Sequence, residues 1–96
     1  MKPIHPGRIL KREIVARDIS ANKLAFATCV PSSRIIQILN GKRGISADTA
    51  LRLSRYFGNS ARFWMNLQSC YELALAEHNL GVKIDTEMKQ AVQMST

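Results

Sequence analysis

Cysteine and histidine are nearly absent, with two of each in 96 residues. Cys29 and Cys70 stand far apart with no histidine near either, so neither a metal-ligand set nor a disulfide scaffold is available, and reduced, partly buried thiols are expected. His5 and His78 sit near opposite ends of the chain, which gives a nucleophile no base to work with. Paired carboxylates, a glycine-rich phosphate loop and a CxxC motif are also missing, so no catalytic residue, cofactor or metal is expected. His5 fits the start of a first helix, and His78 fits the last turn of a fifth, where its charge would suit the helix dipole. Apolar runs stay well short of the roughly 18 to 20 residues that span a bilayer. Met1 to Lys11 has no apolar core of a signal peptide, so no membrane partner and a cytoplasmic location are expected. The length suits one domain.

Acidic residues are the other scarcity: 7 Asp and Glu face 14 Lys and Arg, for a net charge of +7. The imbalance is local. Residues 1–62 hold twelve Lys and Arg against Glu13, Asp18 and Asp48, whereas residues 63–96 hold Lys83 and Lys89 against Glu72, Glu77, Asp85 and Glu87. The first two thirds of the chain therefore present a cationic field suited to a polyanion, with nucleic acid the leading candidate, and the last third does not.

Helix signals recur at short intervals and strand signals are few. Pro6 suits a first helical position, and Ile9, Leu10 and Ile14 follow at helical spacing up to Arg17 and Asp18. Ser20 reads as the N-cap of a short second helix that ends before Pro31. A third runs from about Ser32 to Asn40, with Ile35, Ile38 and Leu39 inward, and stops at Asn40-Gly41. Ser46 caps a fourth, ended by Gly58, and Ser60 caps a fifth in which Trp64, Leu67, Tyr71, Ala74 and Leu75 share a face. The fold class is all-α, a five-helix compact domain. Beyond Gly81 the pattern weakens. Residues 1–80 are expected to form the domain, with 81–96 a marginally ordered tail or short helix.

Ser20 to Gly41 has the layout of a helix-turn-helix: a short helix, a tight turn, and a second helix that is polar in its first turn and apolar inward later. In that arrangement the second helix enters the major groove with its N-terminal side chains at base edges. Ser32, Ser33, Arg34 and Gln37 occupy those positions. Arginine pairs bidentately with guanine and glutamine with adenine, each good contact being worth about 1 to 3 kcal/mol of discrimination. Ser20, Asn22 and Lys23 start the helix that crosses the backbone, and Lys42 and Arg43 follow the recognition helix, so these are the expected phosphate contacts. Capping is the competing role for Ser32 and Ser33.

The segment LAFATCVPSSRIIQILNGKRGISADTALRLSRYFG resembles the Cro/C1-type (XRE) helix-turn-helix superfamily. With His5-Pro6-Gly7, Ile38-Leu39-Asn40-Gly41-Lys42-Arg43, Asp48-Thr49-Ala50-Leu51-Arg52-Leu53 and Phe63-Trp64-Met65-Asn66-Leu67-Gln68, the chain from about residue 4 to 80 is similar to the HigA/VapI group of antitoxins. That resemblance implies a lambda-repressor-like helical homodimer that binds a palindromic operator on double-stranded DNA in its own promoter and neutralises a HigB-type RNase toxin. By position it assigns base reading to Ser32, Ser33, Arg34 and Gln37, and adds Asn40 to Lys42 and Arg43 as backbone contacts. Two residues depart from the pattern. Cys29 holds a turn position usually given to Gly, where a left-handed backbone costs other residues roughly 1 kcal/mol or more. Ile36 is apolar where an outward polar residue is expected, which leaves a thymine-methyl contact or simple exposure.

Phe63, Trp64 and Tyr71 lie at helical spacing in an acidic segment, which argues against a single-strand stacking platform. Core and subunit interface are the expected roles, with Trp64, Leu67 and Tyr71 as the dimer or partner surface. Helix one, with Arg8, Lys11, Arg12 and Arg17, is a second candidate partner surface or a solvated face. An antitoxin and a regulator that acts through DNA alone both fit these residues.

Overall fold

The computed structural model describes residues 2–95, and within them five helices: α1 Pro6–Ala16, α2 Ala21–Thr28, α3 Ser32–Leu39, α4 Ala47–Phe57 and α5 Ala61–Ser95. Local chemistry explains most of the boundaries. The Ser20, Ser46 and Ser60 hydroxyls accept from the backbone N–H groups of Lys23, Thr49 and Phe63, capping α2, α4 and α5. His5 does the same for α1, its Nδ1 accepting from Gly7 N–H at 2.9 Å, while Pro6 brings no N–H to satisfy. Gly58 ends α4 in the left-handed conformation, with φ 78°.

Leu10 and Ile14 of α1, Leu24 and Ala25 of α2, Ile35 and Ile38 of α3, Ala50 and Leu53 of α4 and Trp64 of α5 meet in one core, closed by Val30 and Ile45 from the loops. Gly7 lets α1 pass directly over the Ile38 carbonyl, because a Cβ there would overlap that oxygen. α3 is thus seated against α1 by close backbone approach.

Three expectations need correction. First, α5 does not weaken at Gly81 but continues to Ser95, so the expected tail is helix throughout its described part; Thr96, like Met1, lies outside the described residues. A lone glycine costs a helix only about 1 kcal/mol, and neither proline nor a cap follows it. The exposed pair Lys83–Glu87, 3.9 Å apart at i,i+4, lies just beyond. Second, His78 consequently sits well inside α5 rather than in its last turn. Third, both cysteines are exposed rather than partly buried. The helix projects from the five-helix head and gives the molecule extents of 60 × 20 × 19 Å.

Candidate nucleic-acid interface

Between α2 and α3 the chain turns through Cys29 at φ 56° and ψ 41°, so the left-handed turn is kept although no glycine occupies it. The turn is held by Val30 N–H donating to the Ala25 carbonyl at 3.0 Å and by Arg52 of α4 donating to the Thr28 carbonyl at 3.0 Å. Arg52 is itself paired with Asp48 at 2.7 Å. These bonds fix the angle between the two helices.

The start of α3 is open. Pro31 stands at its N-cap position and makes no side-chain cap, and among the described residues the hydroxyls of Ser32 and Ser33 have no hydrogen-bond partner. Capping is therefore not what these serines do. Ser32, Ser33 and Gln37 are exposed, Arg34 is half-buried, and Ile36 is 43 % exposed on the same helix. Its free backbone N–H groups, polar side chains and dipole all favour an electron-rich partner.

Around this opening lie the expected phosphate contacts. Asn22, Lys23, Asn40, Lys42 and Arg43 are exposed, and Lys23, Arg34, Lys42 and Arg43 form no ion pair among the described residues. Ser20 is engaged as the α2 cap through its oxygen, which leaves its O–H to donate outward. One polar contact joins the two groups: Arg43 Nε donates to Gln37 Oε1 at 3.0 Å.

The loop carrying Lys42 and Arg43 is anchored by residues that sequence reasoning gave no such role. The His5 imidazole hydrogen-bonds the Arg43 backbone, and its ring meets Tyr71 of α5 edge-on at 4.9 Å. Burial pushes the His5 pKa below its usual 6.5, and the bond to Arg43 offsets part of that shift. With Nδ1 accepting from Gly7, the neutral ring carries its proton on Nε2, the nitrogen left for the Arg43 backbone. Gln68, a further α5 residue, bonds Ile45 N–H from its side-chain oxygen at 2.8 Å. A polar residue on the inner face of an apolar helix was the available signal for Gln68.

Of the residues expected as core or partner surface, Trp64 is core alone and not part of a partner surface. It is fully buried, its indole N–H donating to Asn59 Oδ1 at 2.9 Å and its ring lying 5.8 Å from Phe57, because it falls where α5 packs on α4. Leu67 and Tyr71 are half-buried and line a shallow groove with Ile4, Ile9 and Ala74. No group of His, Cys, Asp and Glu among the described residues is placed to hold a metal ion. No helix there is long and apolar enough to cross a membrane.

The helix-turn-helix family model matches residues 10–64, from the middle of α1 to the first turn of α5. Virulence-associated protein I of Dichelobacter nodosus is 50 % identical over 80 residues, covering 82 % of this chain and 74 % of that protein. A HigA-family addiction module antidote protein from Coxiella burnetii superposes with a TM-score of 0.87 at 48 % identity, over 91 % of this chain and 96 % of that one. The Pseudomonas aeruginosa antitoxin HigA, solved with the higBA promoter, gives a TM-score of 0.87 at 50 % identity over 90 % of this chain and 95 % of that one. Fold and site together define a helix-turn-helix protein of the Cro/C1 (XRE) class, which is not a class of enzymes. Within it, the chain belongs to the HigA antitoxin family.

Proposed function

We propose that this protein is a cytoplasmic, dimeric autorepressor and antitoxin: it binds a palindromic operator in its own promoter and neutralises a cognate RNase toxin. The observation that carries the DNA half is the open first turn of α3, ringed by unpaired cations. Ser32, Ser33, Arg34 and Gln37 read bases. Ser20, Asn22, Lys23, Asn40, Lys42 and Arg43 hold phosphates and set the register. The toxin half is supported by the likeness to HigA antitoxins.

Dimerisation is assigned to α5 beyond the head. Leu73, Leu80, Ile84 and Met88 are exposed and lie within a narrow stripe at helical spacing. Helical stability in proteins comes mostly from packing of an apolar face, so a second helix laid along this stripe would stabilise the projecting part of α5. Binding to a palindrome requires a two-fold pairing that sets two recognition helices about 34 to 36 Å apart, one helical turn of DNA.

The deciding experiment is co-expression with the product of the adjacent reading frame, together with binding to the promoter upstream of both. Growth rescue, co-purification and salt-sensitive promoter binding are expected. A harmless neighbour that does not bind would remove the antitoxin role and leave a regulator. Within the site, Arg34→Ala should relax sequence preference, whereas Lys42→Ala should weaken all sequences alike and lower the salt slope by about one.

A further inference from the structure

The contact between Gln37 and Arg43 settles which end of the glutamine amide faces which way. A guanidinium has N–H donors and no acceptor, so the amide atom 3.0 Å from Arg43 Nε must be the oxygen. The NH2 group is left without a hydrogen-bond partner among the described residues, on a side chain exposed on α3. The backbone reinforces the pose, since Lys42 N–H donates to the Gln37 carbonyl at 2.8 Å and folds the loop back over that residue. Arg43 is held from behind by its backbone bond to His5. Its remaining N–H groups are free to take a phosphate while Nε holds the glutamine, and exclusion of water at a DNA surface would strengthen that hydrogen bond.

We propose that Arg43 is a positioning residue for base readout: it holds the Gln37 oxygen toward the loop, so that the amide NH2 meets the base edge and the position is read as an acceptor. Thymine O4, or guanine O6 and N7, is the matching edge, whereas adenine sets its N6 amino donor beside its one acceptor, N7, and so opposes a second NH2 donor there. The bidentate adenine contact open to an unrestrained glutamine uses oxygen and nitrogen side by side, and the oxygen is here turned to the guanidinium. This inference rests on the DNA-binding function proposed above.

The test begins with selection of duplexes from a random pool by the wild-type protein, and Gln37→Ala then identifies the base pair that Gln37 reads. Affinities for the four base pairs at that position are compared in wild type, Arg43→Ala, Arg43→Lys and Gln37→Glu, with circular dichroism as the check on folding. Wild type is expected to favour G or T over A by roughly three- to tenfold, the worth of one hydrogen bond. Arg43→Ala should lose that order or shift it toward A while preferences at other positions stay, and Arg43→Lys, which still donates, should largely keep it. Gln37→Glu, left with only acceptors, should turn the preference toward C. An adenine preference in wild type, or an Arg43→Ala loss equal for all four base pairs as a plain phosphate contact gives, would overturn the proposal. Failure of the wild type to select any sequence would overturn the operator function along with it.

Discussion

The side-chain oxygen of Gln68 on α5 accepts from the backbone N–H of Ile45 at 2.8 Å, across 23 residues of sequence, and both residues are buried. The bond ties the projecting helix to the loop that follows the recognition helix. Gly44 lies so close that a Cβ there would come within 2.8 Å of the same amide, so the loop passes directly over it. Gln68→Leu strands a buried N–H and should cost about 1 to 3 kcal/mol in urea denaturation. Gln68→Met, which keeps the side-chain length but lacks the accepting oxygen, should cost about as much, and a much smaller loss in the methionine variant would mean that packing, not the hydrogen bond, sets the effect.

Cys29 keeps a left-handed backbone at φ 56° without being a glycine. Cys29→Gly should relieve roughly 1 to 2 kcal/mol of steric strain against about 0.5 to 1 kcal/mol of added unfolded-state entropy. The expected result is a small net stabilisation and a rise of a few degrees in Tm. The Cys29 thiol is exposed and lies outside the buried core, so little packing is lost with it. A lower Tm would show that the turn tolerates cysteine without strain.

What could be read in the sequence was what repeats or what punctuates. Serine caps at 20, 46 and 60 and glycine at 58 marked helix boundaries within a residue or so, because caps act on their own few neighbours. The face of α3 was legible for the same reason, as Ile35 and Ile38 fix what points inward. Partners were not legible. Periodicity placed Trp64 on the α5 face without saying that α4 covers it. His5 was legible as the start of α1, but its tie to Arg43 was not, and Gln68 was given no role, because those partners come from a loop distant in sequence. The segment beyond Gly81 read as a marginal tail or short helix because its apolar spacing is sparse, yet α5 runs through it to Ser95.

The pH dependence of stability follows from His5, whose folded pKa lies below the usual 6.5. Above about pH 6.5 both folded and unfolded chains carry it neutral, and the Gly7 and Arg43 contacts are intact. Below that value the unfolded chain takes a proton that the folded chain resists, so stability falls until the lowered folded pKa is reached. Protonation of Nδ1 would also remove the acceptor of the α1 cap. Tm should therefore drop between pH 7 and 5. His5→Asn, which caps without titrating, should show a shallower drop over the same range. An unchanged slope in that variant would assign the dependence elsewhere.

The apolar stripe of α5 gives the last prediction. Leu80 and Ile84 lie on the projecting part of the helix and outside the buried core, so Leu80→Asp or Ile84→Asp should leave the head folded. If the stripe pairs two copies, each charge would enter an apolar seam and meet its two-fold mate, and light scattering should report a shift from dimer to monomer. Helicity should fall with it, because the freed end of α5 loses the packing that sustains it. Operator affinity should fall steeply while binding to a single half-site changes little, since the recognition helix is untouched. Variants that stay dimeric would place the two-fold contact on another surface, such as the groove lined by Leu67 and Tyr71.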